Sequence, residues 1–135
     1  MEIDVQARVA SARAFFMEGC SCSQSVVLAF QDLLGVDEPT LRRLSIGLGA
    51  GVGRLREVCG TVGAMAMVAG TMARPEGKDN RQQKSDTYAI VQQLAGEFRQ
   101  KNGTIVCREL LAARAGADTS HVPEERTEEY YRSRP

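Results

Sequence analysis

Four cysteines, Cys20, Cys22, Cys59 and Cys107, are the residues of this chain best suited to chemistry. A thiolate attacks disulfides and binds soft metals, and a thiol ionises more easily where backbone N–H groups or cations face it. Helix reading puts Cys22 directly after Ser21, Cys59 in a first turn after a glycine-rich segment, and Cys107 three residues after Thr104. Three of the four thus fall at expected helix N-termini, where unpaired N–H groups and the helix dipole favour negative charge. Cys20 and Cys22 also form a Cys-x-Cys pair, able to close a small disulfide or to offer two ligands to one metal. That spacing differs from the Cys-x-x-Cys of redox motifs and zinc ribbons. Cys22 and Cys59 lie 37 residues apart, and Cys59 and Cys107 lie 48 apart, so no compact zinc-finger spacing is present. The tertiary fold must assemble any shared site. Cys22, Cys59 and Cys107 are the candidate redox residues, and all four cysteines are candidate metal ligands. Buried thiols acting only as small hydrophobes are the plain alternative.

Other polar groups offer less. The run Gly47-Leu48-Gly49-Ala50-Gly51-Val52-Gly53 is too rich in glycine for a helix interior. Gly49, Gly51, Gly53 and Arg54 are the candidate cofactor-binding residues, in a loop whose main expected task is close backbone packing beside the Cys59 helix. A nucleotide reading fails, because no strand precedes the run and no Gly-Lys-Ser/Thr follows it. Arg54 and Arg56 could stabilise a neighbouring thiolate, although an exposed, solvated pair is the simpler expectation. Glu57 is the acid nearest Cys59 in sequence. His121 is the one histidine, in a polar segment, which excludes a histidine-rich metal site.

Apolar spacing supplies the elements. Val5, Val9, Ala12 and Phe16 mark one face of a helix over 3–18, which Gly19 ends. Ser21 and Gln24 have the form of a capping box for a helix that runs to Gly35. Asp37-Glu38-Pro39 starts a short helix bearing Leu41, Leu44 and Leu48. After the glycine loop, residues 58–72 form a helix apolar on all sides and therefore central. Gly63, Ala66 and Gly70 lie near one of its faces and admit a close neighbour. A turn at 74–78 leads to a long amphipathic helix over 79–101, with Tyr88, Val91, Leu94, Ala95 and Phe98 as its stripe. Thr104 can cap a helix containing Ile105, Val106, Leu110 and Leu111. Residues 115–124 read as loop, and 125–132 as a last weak helical turn. The fold class expected is all-α, a single-domain bundle of five to six helices over residues 1–135 with a glycine-rich loop before the central helix.

Composition narrows the function. Seventeen basic and seventeen acidic residues give zero net charge, which argues against nucleic acid. The chain has no tryptophan and few aromatics, so stacking platforms are not expected. The N-terminus lacks a signal-peptide pattern and the longest apolar stretch is too short to span a bilayer, so the expected location is cytoplasmic, where thiols stay reduced. The expected partner is a redox partner or a small molecule, with a homodimer also open.

The segments Gly19-Cys20-Ser21-Cys22-Ser23-Gln24, the run 47–54, Glu57-Val58-Cys59-Gly60 and Ile105-Val106-Cys107-Arg108-Glu109-Leu110-Leu111 occur together in a characteristic order. In them the chain resembles the small helical redox-active proteins named for a C…GCAxxG…C…C pattern, which are related to a domain of the split-Soret cytochromes. The resemblance implies that Cys22, Cys59 and Cys107 are redox or ligand cysteines. It implies thiol–disulfide exchange or electron transfer, with a metal or iron–sulfur centre as the alternative and a helical interaction domain without catalysis as a third. Read against a Cys-Gly-Ala-x-x-Gly segment, Thr61 replaces the alanine and Gly63 falls one place early. The family's fourth cysteine is expected beyond Arg134, and Cys20 is a fourth thiol at a different position.

Overall fold

In the computed structural model, residues 3–111 and 119–134 are described. The described residues are all-helical, with 64% of them in helix and five helices of seven residues or more among them. In chain order the α-helices are α1 (Val5–Met17), α2 (Cys22–Leu28), α3 (Gln31–Leu34), α4 (Glu38–Ser45), α5 (Gly60–Met72), α6 (Asn80–Asn102), α7 (Cys107–Leu110) and α8 (Glu128–Arg132), with a 3-10 turn at Ile46–Leu48.

Short polar side chains start most of these helices. Asp4, Asp37, Asp79 and Thr127 each accept a backbone N–H from the first turn of α1, α4, α6 and α8. Ser21 and Gln24 complete the expected capping box, with Gln24 N–H on Ser21 Oγ at 3.2 Å and Ser21 N–H on Gln24 Oε1 at 3.0 Å. The helix expected to run from there to Gly35 is broken at Phe30, whose φ of −113° and ψ of 12° separate α2 from α3.

The core lies where α2 crosses α5 and α4. Val27, Leu28, Leu41 and Ala64 are buried there, with Phe15, Val26, Leu34 and Met67 packed around them. Polar groups lock α2 to α4 from inside. Ser23 Oγ donates to Ser45 O at 2.7 Å, and Gln24 Nε2 donates to Arg42 O at 3.0 Å. These bonds satisfy buried groups that would otherwise cost about 1–3 kcal/mol each.

Several apolar stripes are less buried than their spacing suggests. Val5 and Val9 are exposed, because α1 packs on the seven-residue α2 and overhangs it. Leu44 and Tyr88 are exposed too, and α6, which packs on α5, has no fully buried residue. On α5, Gly63 does meet a neighbour, the Leu48 side chain, whereas Gly70 faces open space.

Two boundaries near the cysteines differ from the sequence reading. The α5 helix starts at Gly60 with Cys59 at its N-cap, and Val58 instead forms an isolated antiparallel bridge with Val106. Val106 is therefore extended and Ile105 lies in a bend outside any helix, and α7 is a single turn beginning at Cys107. Thr104 does not cap it: its Oγ1 accepts from Val106 N–H and bonds Glu109. Backbone pairing with 56–59 won over local helix preference. Of the loop expected over 115–124, residues 115–118 lie outside the described residues, and 119–124 contain no helix.

The glycine loop is a left-handed turn. Ala50, Gly51, Val52, Gly53 and Arg54 have φ of 55°, 74°, 65°, 57° and 64° in succession, and Arg56 follows at 62°. Each non-glycine residue held this way costs about 1–2 kcal/mol. The turn is closed by Gly53 N–H on Gly47 O and Glu57 N–H on Gly51 O, both at 2.9 Å. A Cβ on Gly51 would lie 2.6 Å from Cys107 Cβ and 2.7 Å from Arg56 Cα, whereas one on Gly53 would meet nothing closer than 4.0 Å. Gly51→Ala is therefore expected to cost about 2–4 kcal/mol, and Gly53→Ala about 1–2 kcal/mol. Urea denaturation of both variants checks this, and equal losses would contradict the packing argument.

Candidate functional site

Three of the four cysteines stand at helix N-termini, as their spacing suggested. Cys22 is the first residue of α2, Cys59 the N-cap of α5 and Cys107 the first residue of α7. The Val58–Val106 bridge brings the last two together. Cys59 N–H donates to Ile105 O at 2.8 Å, and Cys107 N–H donates to Glu57 O at 2.6 Å. Side chains alternate along paired strands, so Cys59 and Cys107, each one residue beyond the bridge, share the face opposite the two valines.

Cys22 reaches the same region from α2. Its Sγ occupies the space that a Cβ on Gly60 would need, directly against the residue after Cys59. The backbone amides of Ala50 in the left-handed turn and of Ser23 in its own helix act on the Cys22 sulfur. Both favour the thiolate. Burial opposes them and is the larger effect, and the nearby Cys59 and Cys107 oppose ionisation further, so the Cys22 thiol is pushed above its ordinary value. The helix N-terminus alone had suggested the opposite direction.

Arg54 and Arg56 are not a solvated pair. Both are buried, at 8% and 4% exposure. Arg56 Nη1 lies 3.8 Å from Cys107 Sγ. Arg54 Nη1 donates to Ser120 O at 2.7 Å and also to Val122 O, which fastens the segment containing His121 across the site.

These residues surround a pocket of about 680 Å³. Cys22, Cys59 and Cys107 all line it, together with Gly49, Gly53, Arg54, Arg56 and His121. Gly51 instead backs onto Cys107, and the Cβ position of Gly49 abuts Ser21. Glu57 pairs with Arg108 and is exposed. Cys20 does not line the pocket: it is buried beside Arg42, whose Nη1 lies 3.2 Å from its sulfur. The Cys-x-Cys spacing sends the two sulfurs to different neighbours.

One wall of the pocket went unread in the sequence. Arg126, Tyr130 and Arg134 line it from the C-terminal segment, and Phe98 from α6. Arg126 stacks 4.8 Å from the Phe16 ring centroid and 4.6 Å from that of Tyr130, and its Nη2 donates to Cys20 O at 3.0 Å. The close succession of Arg and Tyr over 126–134 was the available signal, hidden because cation–π partners distant in sequence leave no periodic pattern.

All four cysteines are free thiols. Among the described residues, no group of three or more His, Cys, Asp or Glu side chains is placed to hold a metal ion.

Residues 20–134 match the family described as "Putative redox-active protein (C_GCAxxG_C_C)". The chain belongs to this family. No curated protein and no solved structure gives a significant match. In this C_GCAxxG_C_C protein, Val58 serves the bridge, and Gly60 makes room for Cys22.

The shift at Cys22 has a sign that can be checked. Its folded thiol holds its proton to higher pH than the unfolded thiol, so its contribution to stability is full below the unfolded value and is lost as pH rises through the folded one. Stability is expected to fall over that alkaline window in the parent chain and less steeply in Cys22→Ser, as measured by urea denaturation across pH. Parallel slopes would contradict the burial of an ionisable thiol.

Proposed function

We propose that the protein is a thiol–disulfide redox protein in which Cys59 and Cys22 are the exchanging pair. The observation that carries this reading is the seating of Cys22 Sγ against Gly60, the residue after Cys59. Cys59 is half-buried and lines the pocket, so a disulfide entering there can reach it. Cys107 is buried, with its sulfur beside the Arg56 guanidinium.

The exchange balances as follows. The Cys59 thiolate attacks one sulfur of a substrate disulfide, that S–S bond breaks, and one substrate thiolate leaves. Cys22 gives its proton to the departing thiolate and attacks Cys59 sulfur in the mixed disulfide, releasing the second substrate thiolate. Two electrons pass from the protein dithiol to the substrate disulfide, and a thiol reductant reverses the steps. Arg56 beside Cys107 supports a local positive field for the anionic sulfurs formed on the way.

After oxidation with a small disulfide and alkylation of the remaining thiols, peptide mass spectrometry is expected to find a Cys22–Cys59 linkage, with Cys20 alkylated only after unfolding. Four alkylated thiols after oxidation would sink the reading. Cys59→Ser is expected to abolish exchange, and Cys22→Ser to trap the mixed disulfide at Cys59.

A further inference from the structure

The pocket has a wall that thiol exchange by itself does not require. The segment from His121 to Arg134 lines it, in the same pocket as Cys22 and Cys59. This segment is tied down on two flanks. Arg54, from the glycine loop, donates to Ser120 O and Val122 O. Arg126 donates to Phe16 O at 3.4 Å and to Cys20 O at 3.0 Å, and Tyr131 Oη lies 3.2 Å from Met17 O. Arg134 pairs with Glu124 and sits 4.1 Å from the Tyr130 ring centroid, which braces the segment internally. The wall is thus fastened to the loop before Cys59 and to the turn before Cys22. The buried core around Val27, Leu28, Leu41 and Ala64 includes no residue of 119–134, so the wall can loosen while the core stays folded. A second observation concerns size. Both thiols of the exchanging pair are half-buried, and the volume of about 680 Å³ around them is that of a small-molecule site. A folded partner instead docks over roughly 800 Å² of surface on each side.

We propose that this wall restricts the exchange to small-molecule disulfides and excludes disulfides carried by folded proteins. This rests on the thiol–disulfide reading and adds a substrate class to it. The reaction is the exchange written above: the small disulfide is reduced to two thiols while Cys59 and Cys22 become a disulfide. A small disulfide enters the pocket whole. A protein disulfide brings main chain on both sides of each sulfur, and the segment 121–134 stands in the way of that chain. Such a partner reacts only in the fraction of molecules whose wall has swung out, and its rate falls by that fraction.

The test compares hydroxyethyl disulfide, which is small and neutral, with oxidised DsbA, a folded protein with a strongly oxidising disulfide. Each rate of oxidation of the full chain is normalised to that disulfide's rate with dithiothreitol. The hydroxyethyl disulfide rate is expected to exceed the DsbA rate by about tenfold or more, as a minor open state would give. Tyr131→Ala removes an anchor of the wall that does not itself line the pocket. It is expected to raise the DsbA rate several-fold and to leave the hydroxyethyl disulfide rate unchanged, with urea denaturation showing that the variant is folded. Tyr131→Phe, which keeps the ring and loses the hydroxyl, is expected to shift the DsbA rate the same way by less, and it decides the outcome if Tyr131→Ala does not fold. Equal normalised rates in the parent chain would overturn the size restriction and leave the exchange reading standing. A DsbA rate that stays low in the folded variants would overturn the assignment of the restriction to this wall. Failure of both disulfides to oxidise the protein would overturn the exchange reading itself.

Discussion

The cysteine site depends on one stretch of backbone held in the left-handed region. From Ala50 to Arg54 every φ is positive, which only Gly51 and Gly53 adopt without penalty. The turn aims the Ala50 amide at Cys22, backs Gly51 onto Cys107, and sends Arg54 and Arg56 inward from alternate positions. Strain of this kind persists only where the surroundings over-determine it. Here they do: the turn's own hydrogen bonds, the pairing of 56–59 with 105–108, and the Arg54 bonds to 120 and 122 all hold it. A right-handed turn would carry none of these groups to the same places.

Competing electrostatic effects then set the character of each thiol. At Cys22 two amides favour the anion, yet burial outweighs them and the sulfur keeps its proton more tightly than a free cysteine. A helix N-terminus offers a fraction of a charge, whereas removal from water taxes a whole one. Cys20, two residues away, lies beside the Arg42 guanidinium on the other side of the chain. The same residue type therefore has two environments within one short segment, on either side of Ser21, the N-cap of α2.

The C-terminal segment closes the arrangement by a different kind of bond. Phe16 packs edge-on against Tyr131, with ring centroids 5.7 Å apart, and Arg126 sits over both rings. Tyr131 Oη donates to Met17 O at 3.2 Å at the end of α1. This apolar and cationic cluster holds residues 126–134 beside the cysteine loop, so α1, the first helix, and α8, the last, together form one side of the pocket. The match to the C_GCAxxG_C_C family spans that segment as well as the cysteines.

Local rules read from the sequence alone determined a good part of this protein. The all-helical class, the caps at Ser21, Asp37 and Asp79, the glycine stops at 19, 35 and 103, and the cysteines at helix N-termini all rest on contacts within a few residues, which sequence displays directly. The tertiary structure decided what distant groups do to one another. It kept Ile105 and Val106 out of a helix, because Ile105 O accepts from Cys59 N–H and Val106 bridges Val58. It buried Arg54 and Arg56, left Tyr88 exposed, separated Cys20 from Cys22, and built a pocket wall from Arg126 and Arg134. Burial and long-range pairing are properties of the assembled chain, and no spacing of residue types along it encodes which side chains lose their water.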